Sequence, residues 1–395
     1  LILLSTLIAK DESFIQTAYG GSMEMSSNAI YDNPFRVLGE RYFSLHLNHT
    51  KQMEKQFISE SKCLNSLDWA SQKIKIVPEE MKSFLRQNGV LKDSADYHLM
   101  TEGKLFRAQL ALAAAHLHRL DEKTALQLAC VTEFIHNASL VHDDIQDQDE
   151  TRRNRATVWK QYGSNNALLL GDLLLSKAYE MLGILGMQHY RGPRLIGLLG
   201  EKIALLIQGQ SDELEHQSDL TLPLQTYEHI ALCKTGALLS FPVEAALILS
   251  GVQERECGRV NQIFGRFGVA YQIHDDIIDL CASNKGRDFP GSDLREGRVS
   301  AVILQFWQQS SPKMREQFEI FFKDEKCRRD PEQLAYWVNS LVNTQVLEAS
   351  FQYLTETLAN CRQEAAELPD PLSSFMLLVI SQLEKRFQPE LELLA

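Results

Sequence analysis

Between Pro78 and Pro193 the chain contains no proline, and its apolar residues recur at helical spacing with hardly any strict alternation. Proline would break a helix and a half-buried strand needs alternation, so such a stretch reads as successive helices. Apolar helical segments are expected over residues 110–118, 124–141, 166–185, 194–209, 223–249 and 254–279, with several more between 300 and 387. Gly186, Gly192-Pro193 and the runs Asp219 to Pro223 and Ser283 to Gly297 place the loops. The expectation is an all-α fold, a helical bundle around a central cavity, where a site is made by side chains on facing helices. With 395 residues and 44% hydrophobic content the chain can bury a core of that size. Residues 23 to about 90 are polar and mixed, with weak periodicity, and residues 1–90 are set apart as an N-terminal extension from a main domain of residues 91–395. Gly20-Gly21-Ser22 ahead of Met23 reads as an expression junction, which leaves the residues before it out of the fold.

One six-residue phrase occurs twice: His142-Asp143-Asp144-Ile145-Gln146-Asp147 returns as His274-Asp275-Asp276-Ile277-Ile278-Asp279. Residues four apart share a helix face, so Asp143 with Asp147, and Asp275 with Asp279, each present two carboxylates side by side. A single acidic run of this kind is usually a solvated helix face. Here both runs follow strongly apolar helical sequence, which places the acids at the ends of core helices and along a cleft. Two facing sets of oxygen ligands suit Mg²⁺, a hard ion commonly shared with substrate phosphates.

Polar groups fall around the two phrases. Lys104 and Arg107 are expected to share a face at the start of the first core helix, an end that favours anions. His136 lies two helical turns before Asp143 on the same face, where a satisfied core histidine is the plainer reading. Arg152-Arg153 offer donor forks suited to phosphate oxygens. Lys234-Thr235 interrupts an apolar helix, where an unpaired Lys is costly. Gln272 precedes the second phrase, and Lys285, Arg287 and Arg298 follow it. The formal charge of -12 argues against a nucleic acid partner. Seven scattered cysteines without a CxxC pair fit a reducing compartment, read as the cytoplasm. The apolar stretch from Leu1 to Ala9 stops at Lys10, too short to cross a bilayer, and no membrane span is expected.

From about Gly103 to Ile303 the chain resembles the trans-isoprenyl diphosphate synthases, the farnesyl, geranylgeranyl and polyprenyl diphosphate synthase group. The matches run in order: Gly103-Lys104-x-x-Arg107, the acidic run from Asp143 to Arg153, Gly171-Asp172, Gly209-Gln210-x-Asp212, and Lys234-Thr235-Gly236. Gln272-x-x-Asp275-Asp276-x-x-Asp279 and Gly291-Ser292-Asp293-x-x-Glu296-Gly297-Arg298 complete them. The resemblance implies the isoprenoid synthase fold, a polyprenyl synthase catalytic domain over residues 91–395, and usually a homodimer. It also implies three Mg²⁺ ions held by Asp143, Asp147 and Asp275, with Asp144, Asp276 and Asp279 in support. Asp143, Asp147, Lys234 and Asp275 would form the catalytic set. Arg152, Lys234, Thr235, Gln272 and Arg298 would grip an allylic prenyl diphosphate, and Lys104, Arg107, His136 and Arg153 would hold isopentenyl diphosphate.

In this family, bulky aromatics at the fourth and fifth positions before the first Asp stop growth at fifteen carbons. Those positions hold Ser139 and Ala138 here, with Phe134 and Ile135 one turn further up as a deeper floor. The implied product is C20 or longer, C20 to C25 favoured. Asn154, Ala156, Leu105, Ala108 and the run Arg298-Val299-Ser300 depart from the usual pattern, which touches specificity and rate more than reaction class. Two other readings stay open. One is a class I terpene cyclase on the same scaffold, against which the Lys104, Arg107 and His136 set speaks. The other is a non-catalytic regulatory subunit, against which two complete acidic phrases speak.

Overall fold

The computed structural model describes residues 58–85, 88–100, 103–153, 155–281, 290–342 and 345–392, all within the compact unit Gln56–Ala395. The junction at Met23, most of the N-terminal extension, Asn154, Lys285 and Arg287 lie outside the described residues.

The chain opens with α1 (58–73), α2 (Val77–Leu85), α3 (Gly89–Leu99), α4 (Phe106–Leu117) and α5 (Glu122–Gln146). A two-stranded hairpin follows, β1 (Thr151–Arg152) paired antiparallel with β2 (Arg155–Ala156). Then come α6 (Val158–Tyr162), α7 (Ser164–Gly186), α8 (Gly192–His216), α9 (Leu224–Ala231), a π-helical turn (Leu232–Gly236), α10 (Ala237–Ser250) and α11 (Glu254–Cys281). The remaining elements are α12 (Ser292–Glu296), α13 (Ala301–Gln309), α14 (Pro312–Lys323), α15 (Glu325–Arg329), α16 (Pro331–Val342), α17 (Gln345–Ala366) and α18 (Leu372–Glu392). The all-α expectation holds, with helix ends moved by a few residues.

Local chemistry explains where the site-bearing helices begin and what they pack against. Asp121 caps α5 by accepting the Thr124 N–H at 2.9 Å, an interaction worth about 1 kcal/mol. From that cap α5 runs unbroken to the first acidic phrase, packed along α7 and against α4. Every residue from Ala237 to Leu249 of α10 is buried, as expected of a helix that is apolar all round. By length and composition Leu224–Ser250 could cross a bilayer, but 83% of its most apolar window is buried inside the protein. It is wrapped by α4, α5, α8 and α11 as a core element. A buried ion pair fixes the register of three of these helices. Lys202 Nζ on α8 donates to Glu244 Oε1 at 2.5 Å and to Ser240 Oγ on α10 and Asn261 Oδ1 on α11, both at 2.7 Å.

Two expectations are corrected. The boundary drawn at residue 90 does not mark a break in packing: Cys63, Leu67, Ala70, Val77, Met81 and Leu85 of α1 and α2 belong to the core that α4, α5 and α10 build. These helices bury only one narrow stripe each, so their periodicity is faint in the sequence. The single helix expected over 223–249 is two helices joined by the π-helical turn, and that turn carries Lys234 and Thr235.

Candidate active site

The two acidic phrases end α5 and occupy the last turns of α11, on opposite walls of a cleft of about 370 Å³. Asp147, the C-cap of α5, donates its N–H to the Asp143 carbonyl at 2.8 Å, which keeps the two residues one turn apart as the spacing predicts. Asp147, Asp275 and Asp279 line the cleft with Arg152, Lys234, Gln272 and Arg298.

The middle acid of each phrase is turned about 100° from its neighbour and faces inward. Asp144, 1% exposed, accepts from Arg152 Nε at 2.6 Å. Asp276, 3% exposed, has both oxygens engaged. It accepts from the Tyr227 hydroxyl and the Ala301 N–H at 2.7 Å and from Gln272 Nε2 at 3.0 Å. Asp279 is also occupied, by the Ser292 hydroxyl and by the Asp293 N–H at 3.0 Å, while its carbonyl takes the Gly291 N–H at 2.7 Å. Asp144, Asp276 and Asp279, expected in a supporting metal role, thus also anchor Arg152, Tyr227 and the start of α12, and Asp276 and Asp279 line the cleft as well.

Lys234 reaches the cleft because the helix widens at that point. A π-helical turn takes one residue more per turn than an α-helix, and such turns are frequent at functional sites. Glycines let it sit close to its neighbours. A Cβ on Gly268 would come 2.5 Å from the Gly236 nitrogen, and a Cβ on Gly209 would come 2.7 Å from the Cys233 Cβ. Lys234 Nζ contacts Glu213 Oε2, and Thr235 follows in the same turn. Arg298 lies 3.6 Å from Asp147 Oδ2 and 3.5 Å from Asp293 Oδ1. Sequence reasoning missed Glu213, quoting the motif only as far as Asp212. Asp212 instead accepts from Gln208 at 2.6 Å along the outer side of α8. The signal that could have found Glu213 is its place three residues, one turn, after Gln210.

A second, basic cluster of side chains lies at the start of α4, with the buried Glu133 carboxyl beside Arg107. Leu105 is left-handed at φ 45° and the helix begins only at Phe106, so Lys104 precedes it and is exposed. The expected shared helix face of Lys104 and Arg107 is corrected accordingly. Gly103 instead lies under Arg153, whose Nη2 is 2.8 Å from where a Cβ would be. Arg107 has a buried Nε without a partner, as does His136 at Nδ1. Burial, reinforced by Arg107, Arg153 and Arg152, holds the His136 imidazole well below its ordinary range and so neutral. His98, absent from the sequence reading, joins this group: burial and the positive charge of Arg153 push it down to about 4.

The expected chain-length residues separate. Ala138 is buried and Ser139 half-buried, its hydroxyl donating to the His136 carbonyl at 2.9 Å. Phe134 stands nine residues before Asp143, which at about 100° each puts it on the opposite side of α5. Its ring packs against Phe84 of α2, centroids 6.3 Å apart. Phe134 is thus a core residue, turned away from the side of α5 that carries Asp143 and Ser139.

The donor set fits divalent cations. Carboxylates outnumber bases in the cleft, where Asp147, Asp149, Glu213, Asp275, Asp279 and Asp293 face Arg152, Lys234 and Arg298. Burial pushes the Asp143 and Asp144 carboxyls each up to about 6, against the opposing pull of Lys234 and Arg152. Asp147 is raised as well, by burial and by Glu213. Hard cations would relieve that repulsion through oxygen ligands. Among the described residues no three ligand-type side chains converge as a ready-made metal cluster, so substrate oxygens and waters would supply the remaining ligands.

The polyprenyl synthetase family model matches residues 88–339, and the chain belongs to this family. It is 30% identical over 229 residues to a short chain isoprenyl diphosphate synthase of Methanocaldococcus jannaschii, covering 58% of this chain and 69% of that protein. It is 31% identical over 239 residues to a nonaprenyl diphosphate synthase of Mycobacterium tuberculosis, covering 60% and 70%. Among solved structures, the geranylgeranyl pyrophosphate synthetase of Pyrococcus horikoshii superposes with a TM-score of 0.70 at 27% identity, covering 82% of this chain and 98% of that one. The fold is the all-α isoprenoid synthase fold, and the class of chemistry is prenyl transfer with chain elongation.

Proposed function

We propose that this chain condenses isopentenyl diphosphate with an allylic prenyl diphosphate to give a trans-prenyl diphosphate of C20 or longer, C20 to C25 favoured, using three Mg²⁺ ions. The observation that carries the reading is the presence of two groups of anion-binding side chains: the cleft with Lys234, Arg152 and Arg298, and the buried cluster of Arg107 and Arg153 about a neutral His136. Two diphosphates need two such groups. A terpene cyclase has only one to bind, and two complete acidic phrases count against a regulatory subunit.

Asp143, Asp147 and Asp275 would hold the ions, which when bound neutralise the departing diphosphate. Lys234, Thr235, Gln272 and Arg298 orient that diphosphate. The bond between the allylic carbon and its oxygen breaks with both electrons leaving on oxygen. The double bond of isopentenyl diphosphate, held by Arg107, Arg153 and His136 with Lys104 above, then forms the new carbon–carbon bond. A proton passes to the departed diphosphate. Small residues at Ala138 and Ser139 support passage of the growing chain. Exposed Leu168 and Leu169 on α7, with Ile207 and Leu214 on α8, support a homodimer that covers them. Cytoplasmic placement belongs to the same proposal and is supported by the cysteine pattern.

The test is mass spectrometry of products from purified protein with Mg²⁺ and farnesyl diphosphate, with and without isopentenyl diphosphate. A longer prenyl diphosphate formed only with both substrates is expected. A hydrocarbon or alcohol from farnesyl diphosphate alone would move the assignment to a cyclase. Growth from shorter allylic substrates that ends at farnesyl diphosphate would sink the product length.

A further inference from the structure

Gln210 is 8% exposed, and neither its Oε1 nor its Nε2 has a hydrogen-bond partner. A buried carboxamide with nothing to bind is a standing cost to the fold, and a native protein that keeps one calls for a reason. Its place on α8 supplies one. Gly209 before it packs against Cys233 and Lys234, whose Cβ and Cγ would lie 2.7 and 3.0 Å from a Cβ there. Glu213, one turn after it, contacts Lys234 and lines the acidic cleft. Residues three apart share a helix face, so Gln210 lies one turn before Glu213 on the part of α8 that packs against the turn carrying Lys234.

We propose that Gln210 is a further catalytic residue: its carboxamide is left without partners so that its oxygen can face the allylic carbons as positive charge develops on them. This rests on the prenyl-transfer reading above. Below the diphosphate the substrate is hydrocarbon, and the one polar event there is ionisation. An amide oxygen brings the negative end of a fixed dipole to that charge at no cost of reorganisation during the reaction. A carboxylate in its place would attract more strongly but could be alkylated, ending turnover. The neutral amide stabilises the cation without bonding to it.

Full-length Gln210→Leu and Gln210→Met test the proposal by steady-state kinetics with both substrates, thermal unfolding, and diphosphate release from the allylic substrate alone. The expected result is kcat lower by tenfold or more, both KM values within twofold, diphosphate release slowed in parallel, and Tm unchanged or raised. A folded variant with kcat within twofold of wild type would overturn it, whatever its Tm, since a purely structural or water-holding glutamine predicts that outcome. Should the Leu variant not fold, the unbranched Met variant carries the comparison. Wild-type protein that never elongates an allylic diphosphate would instead refute the reading on which the proposal rests.

Discussion

Replacing Gly268 by alanine asks whether the close crossing of α11 over the π-helical turn sets the reaction geometry. The new Cβ would lie 2.5 Å from the Gly236 nitrogen and 2.8 Å from its Cα, backbone atoms that no rotamer change can move. Ordinary contact is about 3.5–4.0 Å, so α11 must withdraw by roughly 1 Å. Overpacking of this kind costs about 1–3 kcal/mol. The site should suffer more than the fold. Gln272 and Asp275 stand one and two turns beyond Gly268 on α11, and Lys234 stands just before Gly236 on the facing element, so the displacement falls on the groups that must close on one diphosphate. A misplacement of about 1 Å costs on the order of 100-fold in rate. Steady-state kinetics should show kcat reduced by about two orders of magnitude with smaller changes in KM, and calorimetry a Tm lower by a few degrees. Wild-type kcat in a variant of lowered Tm would refute the claim that this crossing positions the reacting groups. Wild-type values for both would refute the packing itself.

Two further outcomes follow from the buried acids. Arg152→Met should leave Asp144 buried and unpaired, costing about 3–5 kcal/mol, read as a drop in urea midpoint in chelator; an unchanged midpoint would show that Asp144 does not depend on Arg152. For Asp143 the folded carboxyl is raised to about 6 from 3.8, so its stabilising contribution is full below 3.8 and is lost as pH rises through about 6. In chelator, Asp143→Asn should therefore be more stable than wild type at pH 8 and indistinguishable from it near pH 4, and a Tm difference independent of pH would defeat this account.

Much of this architecture was legible in the sequence because it is periodic. The proline-free apolar segments could become only helices, and the duplicated phrase placed carboxylates one turn apart on two of them. What the sequence hid depends on helix phase and on tertiary contact. Asp143 and Asp144 are the same residue type side by side, yet one shares its surroundings with Lys234 and Asp147 while the other is sealed against Arg152. Nothing in the string distinguishes them without knowing which side of α5 meets α7. Phe134 looked like a pocket floor by its closeness in sequence and lies on the far side by rotation. Glu213 could not be told from Asp212 until the π-helical turn fixed where Lys234 points. The core role of α1 and α2 was faint because a narrow apolar stripe on a polar helix carries little periodic signal.

Asp279, through Ser292, Asp293 and Gly291, closes a neck between the end of α11 and the start of α12. Arg298 extends that neck across the cleft: it lies 3.5 Å from Asp293 and 3.6 Å from Asp147 on the opposite wall, so one guanidinium ties the pinned end of α11 to the end of α5. A change that loosened the neck would therefore loosen the grip on the first acidic phrase as well.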